Sequence, residues 1–360
     1  MVSARMGAGH DGAARELARR LGLRGVEATV VDIFDCMPNG VGRFWIWLYL
    51  VQLRIAPESY DRTYAGYYKQ GGSWPRILRA FIRMSRRRVL ASIAEHRPDA
   101  VVSTYALATN NIGALREEGA VTVPLVNVVT DFGVHPRVVH RGSDLNIAVH
   151  PRVAAEISAL SPAPTCAPGP LVRPEIAHRL PSMANARAAL GLGDEERVVL
   201  VLAGSWGVGQ VGETVAALLA TGRHRVVVAC GRHEELRQRM DAAGAVAFGW
   251  TDRMPELLAA ADVVIENAGG LSAFEAFAAR RPVVTHRVIP GHGRENARAM
   301  AAAGVTTVTG TDADMIAAVD ALAVSGARRD AQVSAAHACF AGDAADDVIA
   351  SVTLASAQAA

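Results

Sequence analysis

The stretch DVVIENAGGLSAFEAFAARRPVVT, residues 262–285, decides how this chain is read. An apolar run ends at the pair Gly269-Gly270, a short helix-forming segment follows, and a second β-branched run closes it. Strand, glycine turn, helix, strand is the repeating unit of a parallel α/β sheet. A glycine turn that opens a helix presents unpaired backbone N–H groups and the positive end of the helix dipole, which suits a phosphate. Ser272 and Glu275 also have the S-x-x-E spacing of a capping box, so Glu275 reads equally as a cap and as a ligand contact.

The same rhythm extends in both directions. Towards the amino terminus of this half it runs through ERVVLVLAG, RHRVVVACG and AVAFGW, each followed by an amphipathic segment. The Pro-rich stretch SPAPTCAPGPLVRP (161–174) reads as a linker. Before it, strands are expected near 26–34, 99–104, 123–130 and 144–150. Residues 38–96 break the rhythm and read as an insertion, with FWIWLYLVQLR and then the arginine-rich PRILRAFIRMSRRRV. Two similar α/β halves about a linker place the expected ligand site at the carboxyl ends of the strands, in a cleft between the halves.

A chain of 360 residues suits two domains, and an apolar share of 51% with 20% charged residues is that of an ordered globular protein. Cys36, Cys166, Cys230 and Cys339 stand apart without CxxC pairs, which favours reduced thiols in a cytoplasmic protein over a disulfide frame or a zinc site. The net charge of +2 conceals a basic first half and an acidic second half, and Lys69 is the sole lysine. FWIWLYLVQL (44–53) is about half the length of a membrane span. The glycine turn near residue 7 wants a preceding strand of about five residues, yet only Val2 and Ser3 are there. The expectation is a natural start upstream of Met1, or else a stub for a first strand.

NAGGLSAFEAFAARRPVVTHRVIPGHGRENA (267–297), together with MGAGHDGAA (6–14) and VVTDFGVHP (128–136), resembles GT-B glycosyltransferases of the monogalactosyldiacylglycerol synthase type, relatives of the peptidoglycan lipid-intermediate N-acetylglucosaminyltransferase. The resemblance touches both halves. It implies an α/β GT-B fold of two Rossmann-like doubly wound domains facing a cleft: an acceptor domain over 1–165, a linker at 166–175, a donor domain over 176–340, and a last helix at 341–360 packing on the first domain. It implies inverting transfer of a sugar from a UDP-sugar to a hydroxyl of a lipid such as diacylglycerol, with no cofactor and no obligatory metal. Nucleic acid is not an expected partner. Decoration of a secondary metabolite and a UDP-sugar 2-epimerase of the same fold remain as alternatives.

On the donor side the resemblance implies that Gly269 and Gly270, with Asn267 and Leu271 beside them, face the nucleotide diphosphate, and that Glu275 holds the ribose hydroxyls. The family's next segment commonly reads P-G-Q-E-x-x-N, where this chain has Pro290, Gly291, His292, Gly293, Arg294, Glu295 and Asn296. Asn296 agrees with that pattern. His292 and Gly293 replace an amide and a carboxylate, which leaves the donor sugar open. The loop AGSWGVGQVGE (203–213) is implied to close over the phosphates through Gly204, Ser205, Trp206 and Gly207. Its Gly207, Gly209 and Gly212 also spell a dinucleotide G-x-G-x-x-G, but the next strand ends in Cys230, Gly231 and Arg232 where an NAD site wants an acid.

His10, after Gly9 in the first turn, has the chemistry of a general base, and the matching family histidine is the proposed one. Asp131 and His135, in the TDFGVHP loop, would orient that imidazole or touch the acceptor; a plain turn is the other reading of Asp131. Asp312 and Asp314 form a D-x-D that reads as the acidic start of a helix rather than a metal site. The aromatic and arginine-rich insertion suits contact with an anionic membrane, against the alternative of a core helix with Ile77, Ala80, Phe81, Met84 and Val89 inward and a solvated basic end.

Overall fold

The computed structural model describes residues 1–68 and 74–359; residues 69–73 of the insertion, Lys69 among them, lie outside the described residues. The chain divides into two units, residues 1–171 with 339–360 and residues 172–338.

The first unit is built on β1 (Val2–Ser3), α1 (Ala8–Gly22), β2 (Val31–Asp32), three insertion helices α2 (Val41–Ile55), α3 (Pro57–Tyr68) and α4 (Trp74–His96), then β3 (Val101–Ser103), α5 (Ala106–Glu117), β4 (Leu125–Val128), β5 (Leu145–Ile147), α6 (Pro151–Ser158) and β6 (Thr165–Cys166). The six strands form one parallel sheet in the order β2-β1-β3-β4-β5-β6. The first strand described has two residues: Val2 and Ser3 pair with Val31 and Asp32 on one side, and Val2 with Ser103 on the other. A two-residue neighbour explains why the strand expected over 26–34 shrinks to Val31–Asp32, with Val26 left exposed. In α4 the inward stripe is Phe81, Ser85 and Val89 at i, i+4, i+8, whereas Met84, expected inside, is exposed. Ser85 is accommodated there because its hydroxyl donates to the Phe81 carbonyl and accepts from the Asn111 amide.

The second unit runs through α7 (Pro174–Ala177), α8 (Met183–Leu190), β7 (Val198–Leu202), α9 (Val211–Leu219), β8 (Arg225–Ala229), α10 (Glu234–Ala242), β9 (Val246–Phe248), α11 (Met254–Ala260), β10 (Val263–Glu266), α12 (Leu271–Ala278), β11 (Val283–His286), α13 (His292–Ala302), β12 (Thr307–Thr309), α14 (Asp312–Leu322) and α15 (Ala327–His337). Its parallel sheet has the order β12-β11-β10-β7-β8-β9. The chain starts at β7, winds outward to β9, returns to β10 beside β7, and winds outward the other way. Every residue of β7, β10 and β11 is buried, which is why β7 reads as an unbroken apolar run and β10 and β11 open on one, with polar residues only at their carboxyl ends. The last helix, α16 (Ala344–Ala359), belongs to the first unit, where Arg20 and Arg24 of α1 and its flank pair with Asp343 and Asp346. Among the described residues no helix is long and apolar enough to cross a membrane.

Candidate functional site

In a doubly wound sheet the loops leaving the two strands at the reversal point splay apart and open a crevice at their carboxyl ends. In the second unit those strands are β7 and β10, and the loops leaving them are the two glycine stretches, 203–210 and 267–270. The Asn267 side-chain amide ties them together by donating to the Val208 carbonyl at 3.0 Å, while the Asn267 backbone carbonyl accepts from Ile289 N–H. Asn296, 1% exposed, donates to the Ala268 carbonyl. Both asparagines, expected as donor contacts, are buried and have these amide N–H groups engaged in fixing the turns.

The turn itself requires glycine at one place. Gly269 has φ +71, and a Cβ there would lie 2.7 Å from Asn296 Cβ. Gly270 is the helix N-cap and has open space where a Cβ would be. Gly270, Leu271 and Ser272 are half-exposed at the start of α12. No side chain caps this helix: the Ser272–Glu275 capping box does not form, because Gly270 holds the N-cap and Ser272 already lies in the first turn, while Glu275 pairs with Arg173. Beneath the turn lies a residue that the sequence reading passed over. Glu266 ends β10 fully enclosed, accepting from Ala268 and Gly269 N–H on one oxygen and from Thr285 hydroxyl on the other. Burial outweighs those bonds and pushes its carboxyl above the usual range.

Glu275, one turn into α12, is also buried, and its carboxyl is likewise raised by burial against the opposing pull of Arg173. Arg173 comes from the Pro-rich stretch and is partly exposed. In the other loop, Gly207 packs a hydrogen where a Cβ would meet His233 Cβ at 2.6 Å, and His233 Nδ1 donates to the Gly207 carbonyl at 3.2 Å. Gly204 is exposed, Ser205 and Trp206 are half-buried, and the Ser205 carbonyl accepts from Arg232 N–H. Gly212 meets only Met240 Cε, at an ordinary 3.5 Å. The third glycine of a dinucleotide fingerprint exists for close helix packing, a need that is missing here.

His292 opens α13 after Gly291, whose φ is +71, and is half-buried. A Cβ at Gly293 would meet Ile289 Cγ1 at 2.6 Å, so the side chain that the family pattern has there does not fit without displacing Ile289. Thr311, not Asp312, caps α14; Asp312 is held by His286 and by both its oxygens to Arg287. Arg287 reaches across to the Gln210 side chain as well, bracing the first glycine loop. Among the described residues no group of three His, Cys, Asp or Glu side chains gathers as a metal site.

In the first unit the reversal lies between β1 and β3, and His10, following Gly9 in the first turn of α1, stands there. Its Nδ1 is 3.0 Å from the Thr104 carbonyl, just past β3, and 2.8 Å from Thr130 Oγ1, just past β4. Thr104 hydroxyl donates back to the His10 carbonyl, and the Tyr105 ring meets the imidazole edge-on at 4.9 Å. Asp131 follows Thr130, and its charge is felt by the half-buried Tyr49 of α2. His135 accepts Arg137 N–H on Nδ1, a turn bond, and its ring edge faces Tyr64 of α3. Thr104 and Thr130 were not expected from sequence; both end apolar runs, VVST and NVVT, and that is the signal that would have found them.

Residues 10–161 match the family model described as monogalactosyldiacylglycerol (MGDG) synthase, and residues 198–346 that of the glycosyltransferase family 28 C-terminal domain. A processive diacylglycerol beta-glucosyltransferase of Bacillus cereus is 26% identical over 344 residues, spanning 89% of this chain and 84% of that one. Among solved structures, Acinetobacter baumannii MurG superposes with a TM-score of 0.59 at 15% identity, covering 98% of both chains. The glycosyltransferase of kitacinnamycin gives 0.62 at 18% identity, again over 98% of both. With two GT-B structural neighbours, a reversal point occupied by glycine turns in its second sheet, and family matches in both units, the chain belongs to the GT-B glycosyltransferases of the monogalactosyldiacylglycerol synthase type.

Proposed function

We propose that the protein transfers a sugar, with inversion, from a UDP-sugar to a hydroxyl of a lipid acceptor of the diacylglycerol kind. The observation that carries the donor half is the Gly269-Gly270 turn opening α12 at the reversal point, with the Glu275 carboxylate one turn beneath it. The half-exposed first turn of α12 suits a diphosphate, and a carboxylate at that depth suits the two ribose hydroxyls. Gly204 to Gly207 form the second phosphate loop. The Bacillus cereus relative is named for a diacylglycerol acceptor, which is the acceptor class proposed here.

His10 Nε2 takes the acceptor O–H proton as that oxygen bonds to the anomeric carbon. The bond from that carbon to the phosphate oxygen breaks with its electron pair, so UDP leaves and the imidazolium later releases its proton to solvent. Backbone N–H groups of the glycine turns take up the departing charge, without an obligatory metal. The acceptor is met at an anionic membrane face on the cytoplasmic side. Phe44 and Trp47 of α2 are 54% and 56% exposed with rings 5.8 Å apart, and Arg43, Arg76, Arg79, Arg83 and Arg87 are exposed around the same insertion.

The test is calorimetric titration with UDP, then ADP and NAD, each with and without Mg²⁺. UDP-selective, metal-independent binding that Glu275→Ala abolishes supports the donor assignment. Binding of NAD in place of UDP would overturn it.

A further inference from the structure

We infer that Thr130 is a positioning residue that, with the Thr104 carbonyl, fixes His10 as its Nδ1–H tautomer and so leaves Nε2 as the proton-accepting atom; this rests on the reading of His10 as the base. A neutral imidazole carries one N–H. The Thr104 oxygen is a carbonyl and can only accept, so its 3.0 Å approach to Nδ1 demands the hydrogen on that nitrogen. If Thr130 hydroxyl donated to Nδ1 instead, the Thr104 carbonyl would face a lone pair at hydrogen-bond distance. Both oxygens are therefore acceptors of one N–H, at 3.0 and 2.8 Å.

The backbone makes the arrangement rigid. Thr104 N–H donates to the Val2 carbonyl, Thr104 hydroxyl donates to the His10 carbonyl, and Tyr105 closes the ring's flank. The TDFGVHP loop that carries Thr130 is tied down through Asn127, which donates to the Val138 carbonyl, and Asn110, which donates to that of Arg137. The supports on Nδ1 are thus two neutral dipoles where a serine-hydrolase-like triad has a carboxylate. When Nε2 gains the acceptor's proton, the imidazolium charge faces those dipoles, and the proton has no carboxylate at Nδ1 to pass to.

The test uses the full chain labelled with ¹⁵N-histidine and long-range ¹H–¹⁵N correlation, with His10 assigned by its loss in His10→Asn. The expected wild-type pattern is an Nδ1–H imidazole. In Thr130→Val, which keeps shape and removes the hydroxyl, the ratio of Nδ1–H to Nε2–H falls about five- to tenfold, and Thr130→Ser restores it. An Nε2–H pattern in the wild type, or an unchanged ratio in Thr130→Val, overturns the inference. Transfer from UDP-glucose or UDP-galactose to dioleoylglycerol in mixed micelles gives the kinetic arm: Thr130→Val lowers kcat about tenfold with the donor KM unchanged. Retention of full activity by His10→Asn would instead sink the base assignment, whatever tautomer the spectra report.

Discussion

Arg173 and Glu275 form an ion pair in which Nε and Nη2 of the guanidinium donate to a single carboxylate oxygen, Oε1, at 3.3 and 3.1 Å. The carboxylate is buried and the guanidinium side chain is 42% exposed, so the two partners depend on each other unequally. Removing Arg173 leaves a negative charge in the interior, whereas removing the charge of Glu275 leaves an arginine that water can reach. Arg173→Ala should cost about 2 kcal/mol, less than for a fully enclosed pair because the arginine is partly solvated. Glu275→Gln should leave stability within about 1 kcal/mol while weakening UDP at least tenfold. Denaturant melts and calorimetry on both variants separate the two effects; equal stability losses would contradict this account.

Glu266 gives a prediction in pH. Its folded carboxyl is raised by burial, so between the unfolded value of 4.5 and the folded one the native state binds the extra proton. Its contribution to stability is therefore fully present at low pH and declines as pH rises through that window. Asp312 and Asp343, held low by their partners, act in the opposite sense, so the useful quantity is a difference. The stability of Glu266→Gln relative to wild type should move in the variant's favour from about pH 4 to about pH 7. A difference that stays flat over that range would mean that the carboxyl titrates as it does in the unfolded chain.

The neighbouring glycines should respond differently. Gly269→Ala places a Cβ against Asn296 on a left-handed backbone, and should cost about 1–3 kcal/mol by denaturant melt. Gly270→Ala, at φ −96 with open space around it, should leave the melt unchanged while a methyl group now crowds the first turn of α12. Loss of UDP affinity in that second variant, at unchanged stability, would locate the phosphate; unchanged affinity would move it elsewhere.

Phe44→Ser with Trp47→Ser should reduce sedimentation with phosphatidylglycerol vesicles severalfold and leave UDP binding intact. Added salt should weaken what remains, because the surrounding arginines act through screened charge. Sedimentation equal to that of the wild type would remove α2 from the membrane assignment.

Strand identity was legible in the second unit because a parallel strand covered on both faces is mostly apolar, as VVLVL is throughout and VVIE is up to its terminal Glu266. It was less legible at 26–34, where pairing is limited by a neighbour two residues long rather than by the segment's own propensity. The glycine turn could be read because a glycine pair between an apolar run and a helix-forming segment is a local pattern, with Glu275 one turn beyond it. Glu266, Thr104 and Thr130 could not, since each acts through a hydrogen bond to a residue far along the chain. Asn267 and Asn296 show the same limit from the other side: the sequence marks that an amide matters, and only the fold shows which carbonyl its N–H holds.

The Pro168 carbonyl accepts from both Ala341 and Gly342 N–H, and Gly169, at φ +117, lies against the Cys339 carbonyl with no room for a side chain. Outgoing and returning chain are therefore stitched together at one seam of the first unit. Between them runs the whole of the second unit as an uninterrupted cassette, residues 172–338. A cassette with one seam is a unit that recombination can exchange: grafting a relative's segment at Pro168 and Ala341 would replace the whole second sheet and both its glycine loops while leaving His10, Thr130 and the insertion helices untouched.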